Sequence, residues 1–156
     1  MPTQDLQAYC LDLLRSAREW RRLADGVVRP HGMSESTALP LVLIARRGGC
    51  KQNEIAEALG IEAASLVRAL DQLCAAGFLR RDPDGADRRV RRLNLTAEGR
   101  ALADRLSAEL DALRASVFAG LDPADMAASR RVFARIADRA AAHDVVADRP
   151  SAEARP

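Results

Sequence analysis

The sequence predicts a mainly α chain with a small β-wing, in which two short helices and a hairpin are flanked by long helices. Three observations predict it. Apolar residues recur at helical spacing over most of the 156 residues. Two short helical patterns meet at Gly60 in "QNEIAEALGIEAASLVRALDQL". Directly behind them, "FLRRDPDGADRRVRRLNLT" places a turn-forming centre, Pro83-Asp84-Gly85, between two strand-like ends; Arg80 through Arg92 holds six arginines and three aspartates.

The first helix is expected from about Thr3 to Arg29. Leu6, Cys10, Leu13, Ala17, Trp20, Ala24 and Val27 alternate steps of four and three, the a/d seam of a coiled coil, so this helix needs a partner. Pro30 and Gly32 end it. A second helix covers about Ser36 to Arg47, with Pro40 expected in the first turn, where its missing N–H has no helical partner anyway. Gly48-Gly49 stops it. Gln52–Leu59 forms the first short helix, with Ile55, Ala56 and Leu59 inward. The second runs to Ala76 and is expected to bury Ile61, Leu66, Ala69, Leu70 and Leu73. Gly60 supplies the left-handed backbone of a tight inter-helix turn. Strands follow at about Leu79–Asp82 and Val90–Leu95. Thr96 is the N-cap of a helix striped by Leu102, Leu106, Leu110, Leu113 and Val117. In "LDPAD", Asp122 caps and Pro123 takes the first helical position; this last helix runs to about His143 with Met126, Phe133, Ile136 and Ala140 inward.

Composition narrows the function classes. The net charge of +2 says little, and Lys51 is the one lysine among many arginines. Aromatic residues at 3% leave no platform for stacking single-stranded bases. The longest apolar run, Ala38–Ala45, contains Pro40 and is too short to span a bilayer, and the N-terminus lacks the basic and apolar segments of a signal peptide. No membrane partner and a cytoplasmic, nucleoid-associated location are expected. Cys10, Cys50 and Cys74 form no C-x-x-C pair, and His31 and His143 are the only histidines, so neither a metal nor a cofactor is expected. Without a Gly-rich phosphate loop or a serine in a nucleophile turn, nothing assembles into a catalytic site.

A helix–turn–helix followed by a two-stranded wing is a DNA-binding module. Its second helix enters the major groove, and its wing reaches the backbone or the adjacent minor groove. Arginine suits the wing, because a narrow minor groove concentrates negative potential and guanidinium is cheaper to dehydrate than ammonium. The stretches "QNEIAEALGI", "SLVRALDQLCAAGFLRR" and "DGADRRVRRLNLTAEG" resemble the MarR family of bacterial transcription regulators. The D-R-R wing followed by L-T-x-x-G is close to a family signature. The long helices match the family's dimerisation elements, so the resemblance covers nearly the whole chain; Gly26 and Lys51 depart from the pattern. It implies a winged helix-turn-helix flanked by long N- and C-terminal dimerisation helices: residues 1–33 and 96–146 dimerise, 34–95 bind DNA, and 147–156 form a flexible tail, within one structural domain. The implied partners are double-stranded DNA, a second copy of the chain and a small aromatic carboxylate or phenolic effector. The implied role is a homodimeric repressor on a pseudo-palindrome with half-sites roughly 10 base pairs apart.

Carried over by residue, Ala63, Ala64, Ser65 and Arg68 lie at the exposed start of the recognition helix. The alanines allow close approach to thymine methyls, Ser65 meets a base or phosphate, and Arg68 meets a guanine edge or instead pairs with Asp71. The resemblance makes Arg89 the minor-groove residue and Asp87 its brace, with Arg88 on phosphate; Arg91 and Arg92 solvate a strand face. Lys51 and Gln52 face the DNA backbone near a helix N-terminus. For an effector, Arg15, Arg18, Trp20, His31 and Met33 offer a cation and an apolar wall, though exposed arginine and a loop histidine are also explained without a ligand. Cys10 is similar to the reactive cysteine of the organic-hydroperoxide-sensing branch of the family, yet it falls on the helix seam, where a buried thiol is inert. A winged-helix protein adaptor is the remaining alternative, and it has no need of Arg68, Arg88 and Arg89.

Overall fold

The computed structural model describes residues 3–84 and 91–147, with side chains as far as 142. The chain divides into two compact units, Met1–Val117 and Phe118–Pro156. In the first, α1 (Thr3–Val28) passes through a 3-10 turn, Arg29–His31, into α2 (Glu35–Arg47) and a short strand β1 (Cys50–Lys51). Then come α3 (Gln52–Leu59), α4 (Ala63–Ala75), β2 (Leu79–Pro83), β3 (Arg91–Leu95) and α5 (Ala97–Val117).

Among the described residues of the first unit, the buried side chains of α1 lie at its end. Ala24 and Val28 are buried one turn apart and Val27 is half-buried, so the inward stripe passes through Val28 rather than Val27. Leu6, Cys10 and Ala17 on the predicted seam are exposed, and Leu13 and Trp20 are half-buried. Asp25 ties this helix to the next: its Oδ1 accepts the Glu35 N–H at 2.7 Å, satisfying a donor that the start of α2 leaves unpaired. Pro40 corrects the sequence expectation. It sits sixth in α2 rather than in the first turn, so the Ser36 carbonyl loses its helical donor. Ser36 is exposed and water can reach it, while the Pro40 ring is fully buried, which offsets the loss.

Between α3 and α4, Gly60 adopts φ 64° and its neighbour's N–H (Ile61) bonds back to the Ala56 carbonyl at 3.0 Å. Ile61 is 42% exposed, contrary to the sequence reading, because it lies in the turn before α4 begins and never joins that helix's buried stripe. Lys51 precedes α3 as a half-made cap. Its backbone N–H donates to Glu54 Oε2 at 3.0 Å, but its ammonium has no lone pair to return the bond.

The three-stranded antiparallel sheet has the order β1-β3-β2. Its register pairs Leu79 with Leu95, Arg81 with Leu93, and Cys50 with Leu93. Strand alternation therefore puts Leu79, Leu93 and Cys50 on one face, where they are buried, and Arg80, Asp82, Arg92, Asn94 and Lys51 on the other. β1 was not expected from the sequence; two residues carry no alternation to read.

Thr96 fastens α5 to the α4–β2 turn. Its Oγ1 accepts the Gly99 N–H at 3.0 Å and donates to the Gly77 carbonyl at 2.7 Å, while its backbone N–H donates to the Phe78 carbonyl at 3.1 Å. Leu102, Leu106 and Leu110 of α5 then join Leu41, Ile44, Ile55, Leu66, Leu70, Leu73 and Leu93 in one core. Burial of each such side chain contributes about 1.5–3 kcal/mol.

The second unit is α6 (Pro123–Ala147), capped by Asp122, whose Oδ1 accepts the Ala124 N–H at 2.7 Å. It extends past the expected end at His143. Met126, Phe133 and Ile136, expected inward, are 41%, 53% and 49% exposed, and Ala140 is exposed too. A helical stripe read from sequence shows only that a face is apolar; whether the same chain covers it is a tertiary matter. Among the described residues no helix is long and apolar enough to cross a membrane.

Candidate nucleic-acid interface

α4 is two-faced. Leu66, Ala69, Leu70 and Leu73 are buried, while Ala64, Ser65, Val67 and Arg68 are exposed. Ala63 is half-buried against the core, so of the four predicted contacts it is the one turned partly inward. Val67, 39% exposed, went unremarked in the sequence; an apolar side chain on this face can meet a thymine methyl.

Arg68 does not pair with Asp71. That carboxylate is held by Arg81 Nη1 of β2 at 2.7 Å, and the Arg68 side chain has no hydrogen-bond or ion-pair partner among the described residues. The result is a guanidinium presented to solvent, with its nearest competitor along the helix engaged elsewhere.

Gln52 plays a different part from the one expected. Its side chain is half-buried and its Nε2 donates to the Ala63 carbonyl at 3.0 Å, joining the start of α3 to the start of α4. It fixes the crossing of the two short helices rather than reaching outward. Lys51 is exposed and pairs with Arg92 across the sheet.

Asp87, Arg88 and Arg89 lie outside the described residues. The base of the wing is braced by other side chains on the polar face of the sheet. Asp82 accepts from Asn94 Nδ2 at 2.7 Å and from Arg80 Nε at 2.8 Å, and these two bonds hold its carboxyl below the usual carboxylate range. Arg92 donates to Asp84 at 3.1 Å and to the Gly49 carbonyl at 3.0 Å. It therefore ties the turn before β1 to the wing, instead of merely solvating a strand face; Arg91 is exposed.

A cleft of about 620 Å³ opens between the end of α1, the start of α2 and the α4–β2 turn. Met33, Leu73, Ala76 and Phe78 give it apolar walls, and Asp25, Arg29, Ser34, Thr37 and Gln72 give it polar groups. Of the predicted effector residues only Met33 lines it. His31 turns instead to α5, with Nε2 3.0 Å from a Glu109 carboxylate oxygen. Arg15 is exposed and 4.0 Å from Asp12. Arg18 lines a neighbouring groove on α1, and Trp20 is half-buried outside the cleft lining. The cleft residues come from two stretches far apart along the chain, residues 25–37 and 72–78, and no spacing in the sequence announces them. Cys10 is exposed within the chain, while burial pushes the Cys50 thiol above its ordinary pKa.

The same architecture occurs in known proteins. The sequence model of the MarR family matches residues 31–90. The transcriptional regulator PA3341 is 30% identical, with 84% of this chain and 96% of that one covered at a TM-score of 0.74. CouR from Rhodococcus jostii RHA1, solved bound to p-coumaroyl-CoA, is 27% identical over 80% of this chain and 88% of its own, with a TM-score of 0.73. A MarR-family regulator from Rhodococcus sp. RHA1 is 25% identical over 88% and 96%, with a TM-score of 0.70. From the winged helix-turn-helix to these matches, the observations agree: the chain belongs to the MarR family of DNA-binding transcriptional regulators.

Proposed function

We propose that the chain acts as a homodimeric repressor that reads a pseudo-palindromic operator and releases it when a small aromatic or phenolic acid enters the cleft. The observation that carries the DNA reading is the exposed face of α4, where Arg68 has no partner among the described residues while Arg81 occupies Asp71. Ser65, Ala64, Val67 and Arg68 read the major groove; Lys51, Arg88 and Arg89 take the backbone and minor groove, with Asp87 bracing Arg89. Gln52 and Ala63 support that surface from behind.

Dimerisation through residues 1–33 and 96–146 is supported by apolar side chains left in water: Leu6, Tyr9 and Leu14 on α1, and Met126, Phe133 and Ile136 on α6. One winged helix makes too few contacts for high specificity, and two held at fixed spacing multiply them. The effector reading rests on the cleft, whose apolar walls and single lining arginine suit an aromatic carboxylate, and on the aromatic acyl group that CouR binds. A thiol-based reading centred on Cys10 is favoured by the exposure of that residue within one chain.

The test is a gel-shift titration on DNA upstream of the protein's own gene, at low and moderate salt with excess nonspecific competitor. A specific shift that weakens with salt is expected, because phosphate contacts release counterions. Binding that ignores salt, or no preference over competitor on any fragment, points to a protein adaptor instead.

A further inference from the structure

Arg81 stands on the apolar side of the wing. Strand alternation carries it to the same side as Leu79, and its cross-strand neighbour on β3 is Leu93; both leucines are buried. The adjacent Arg80 lies on the polar side, where Asp82 holds it at 2.8 Å. An arginine rooted among apolar neighbours carries its guanidinium outward to a partner at the margin. Asp71 of α4 is that partner: Arg81 Nη1 lies 2.7 Å from its Oδ1, with the two side chains 34% and 56% exposed.

So exposed a pair contributes little to stability. Its position matters more. Within one turn of Arg68 in either direction the sequence offers Ala64, Ser65, Asp71 and Gln72, so Asp71 is the one carboxylate that can reach that guanidinium along the helix. In the folded chain Asp71 pairs with Arg81 instead, and the Arg68 side chain has no hydrogen-bond or ion-pair partner among the described residues.

Resting on the reading of Arg68 as a base contact, we propose that Arg81 is a positioning residue for operator recognition. By neutralising Asp71 it keeps the Arg68 guanidinium extended toward the major groove. Without Arg81, Asp71 folds Arg68 back along α4 in the free protein, and DNA must first break that pair. An ion pair at three-residue spacing on an exposed helix is formed in roughly 60–70% of molecules, which leaves roughly a third competent. Apparent affinity falls with that fraction, by about 2–3-fold for each half-site and about 5–10-fold for a dimer that engages two. Arg81 acts through Arg68 and does not itself have to touch DNA.

Anisotropy titrations on the DNA fragment selected by the gel shift test this. The variants are Arg81→Gln, Asp71→Asn and their combination, each also made beside Arg68→Ala, with melting curves to confirm folding. Arg81→Gln weakens binding by about 5–10-fold. Asp71→Asn does not, and added to Arg81→Gln it restores the parental affinity. Beside Arg68→Ala, where no guanidinium is left to capture, Arg81→Gln has no further effect. A plain cross-brace between α4 and the wing gives equal losses in both single variants and no rescue in the double, and that result overturns the proposal. So does a loss that persists undiminished beside Arg68→Ala, which assigns Arg81 to direct attraction of phosphate. If Arg68→Ala alone binds like the parent, the base-contact reading falls and takes this proposal with it; that outcome is distinct from the other two, in which Arg68 still matters. Should Arg81→Gln fail to fold, Asp71→Asn decides alone: affinity at or above the parent supports the proposal, and a loss overturns it.

Discussion

Replacing Gly99 by alanine adds one methyl group to a helix, a change that ordinarily stabilises by up to about 1 kcal/mol. Here the methyl has nowhere to go. A Cβ at Gly99 would lie 1.9 Å from the Phe78 carbonyl oxygen, 2.8 Å from its carbon and 3.1 Å from its Cα, all backbone atoms that cannot swing aside. Relief requires the first turn of α5 to retreat by more than about 1 Å from the α4–β2 turn, on the scale of the overpacking strain that costs 1–3 kcal/mol. That retreat stretches two bonds that fasten the elements, Thr96 N–H to Phe78 at 3.1 Å and Thr96 Oγ1 to Gly77 at 2.7 Å. Each contributes about 0.5–1.5 kcal/mol. After the helix-propensity gain, Gly99→Ala should destabilise by about 3 kcal/mol, or roughly 6–12 °C in Tm for a chain of this size. Gly26→Ala is the matched control: it also lies inside a helix, nothing approaches within 4 Å, and it should gain up to about 1 kcal/mol. Urea unfolding followed by circular dichroism, at one fixed protein concentration because association couples to stability, measures both. A Gly99→Ala protein as stable as the parent would refute the close approach, and with it the argument that α5 is pinned to the turn behind the recognition helix.

Arg68→Ala should weaken specific operator binding by about 1–3 kcal/mol while leaving Tm unchanged; equal affinity in anisotropy titrations would remove Arg68 from the interface. In the wing, Arg89→Ala should cost about as much in binding, and unaltered affinity in a folded dimer would count against the wing assignment. Glu35→Gln should raise Tm at pH 7. Burial lifts the Glu35 carboxyl above 4.5, with Arg21 opposing and Asp25 adding to the shift, so the folded state disfavours the charged form. The penalty is full above the folded pKa and vanishes as pH falls below the unfolded value near 4.5, where the two melting curves should converge. A gap that persists or widens in acid would contradict the assigned cause. Cys50 should stay silent toward a thiol reagent in the native protein, being 1% exposed with a raised pKa. Cys10, exposed in the single chain, should react more slowly than in denatured protein once a partner covers the α1 seam; labelling at the denatured rate would place it outside any interface.

Much of this protein is written in short-range patterns. The four-and-three spacing of α5, the glycine between α3 and α4 and the Asp122-Pro123 start of α6 each depend on residues a few positions apart, so the sequence alone determined those elements and, through them, the winged helix-turn-helix. The exposed triplet Ala64, Ser65 and Arg68 followed for the same reason, since helical periodicity fixes which side of α4 faces outward. Tertiary structure decided what depends on distant partners. Asp71 binds Arg81 rather than Arg68 because β2 returns alongside α4, and Gln52 turns inward because the Ala63 carbonyl lies within reach. Arg92 braces the wing because the chain folds Gly49 and Asp84 onto one strand. Arg15, Arg18, Trp20 and His31 lie outside the cleft that Met33 lines, for the same physical reason. A cleft is a space between elements, so Arg29, Thr37 and Phe78 meet only after packing, while His31, close in sequence to Met33, is drawn away by a carboxylate 78 residues along the chain.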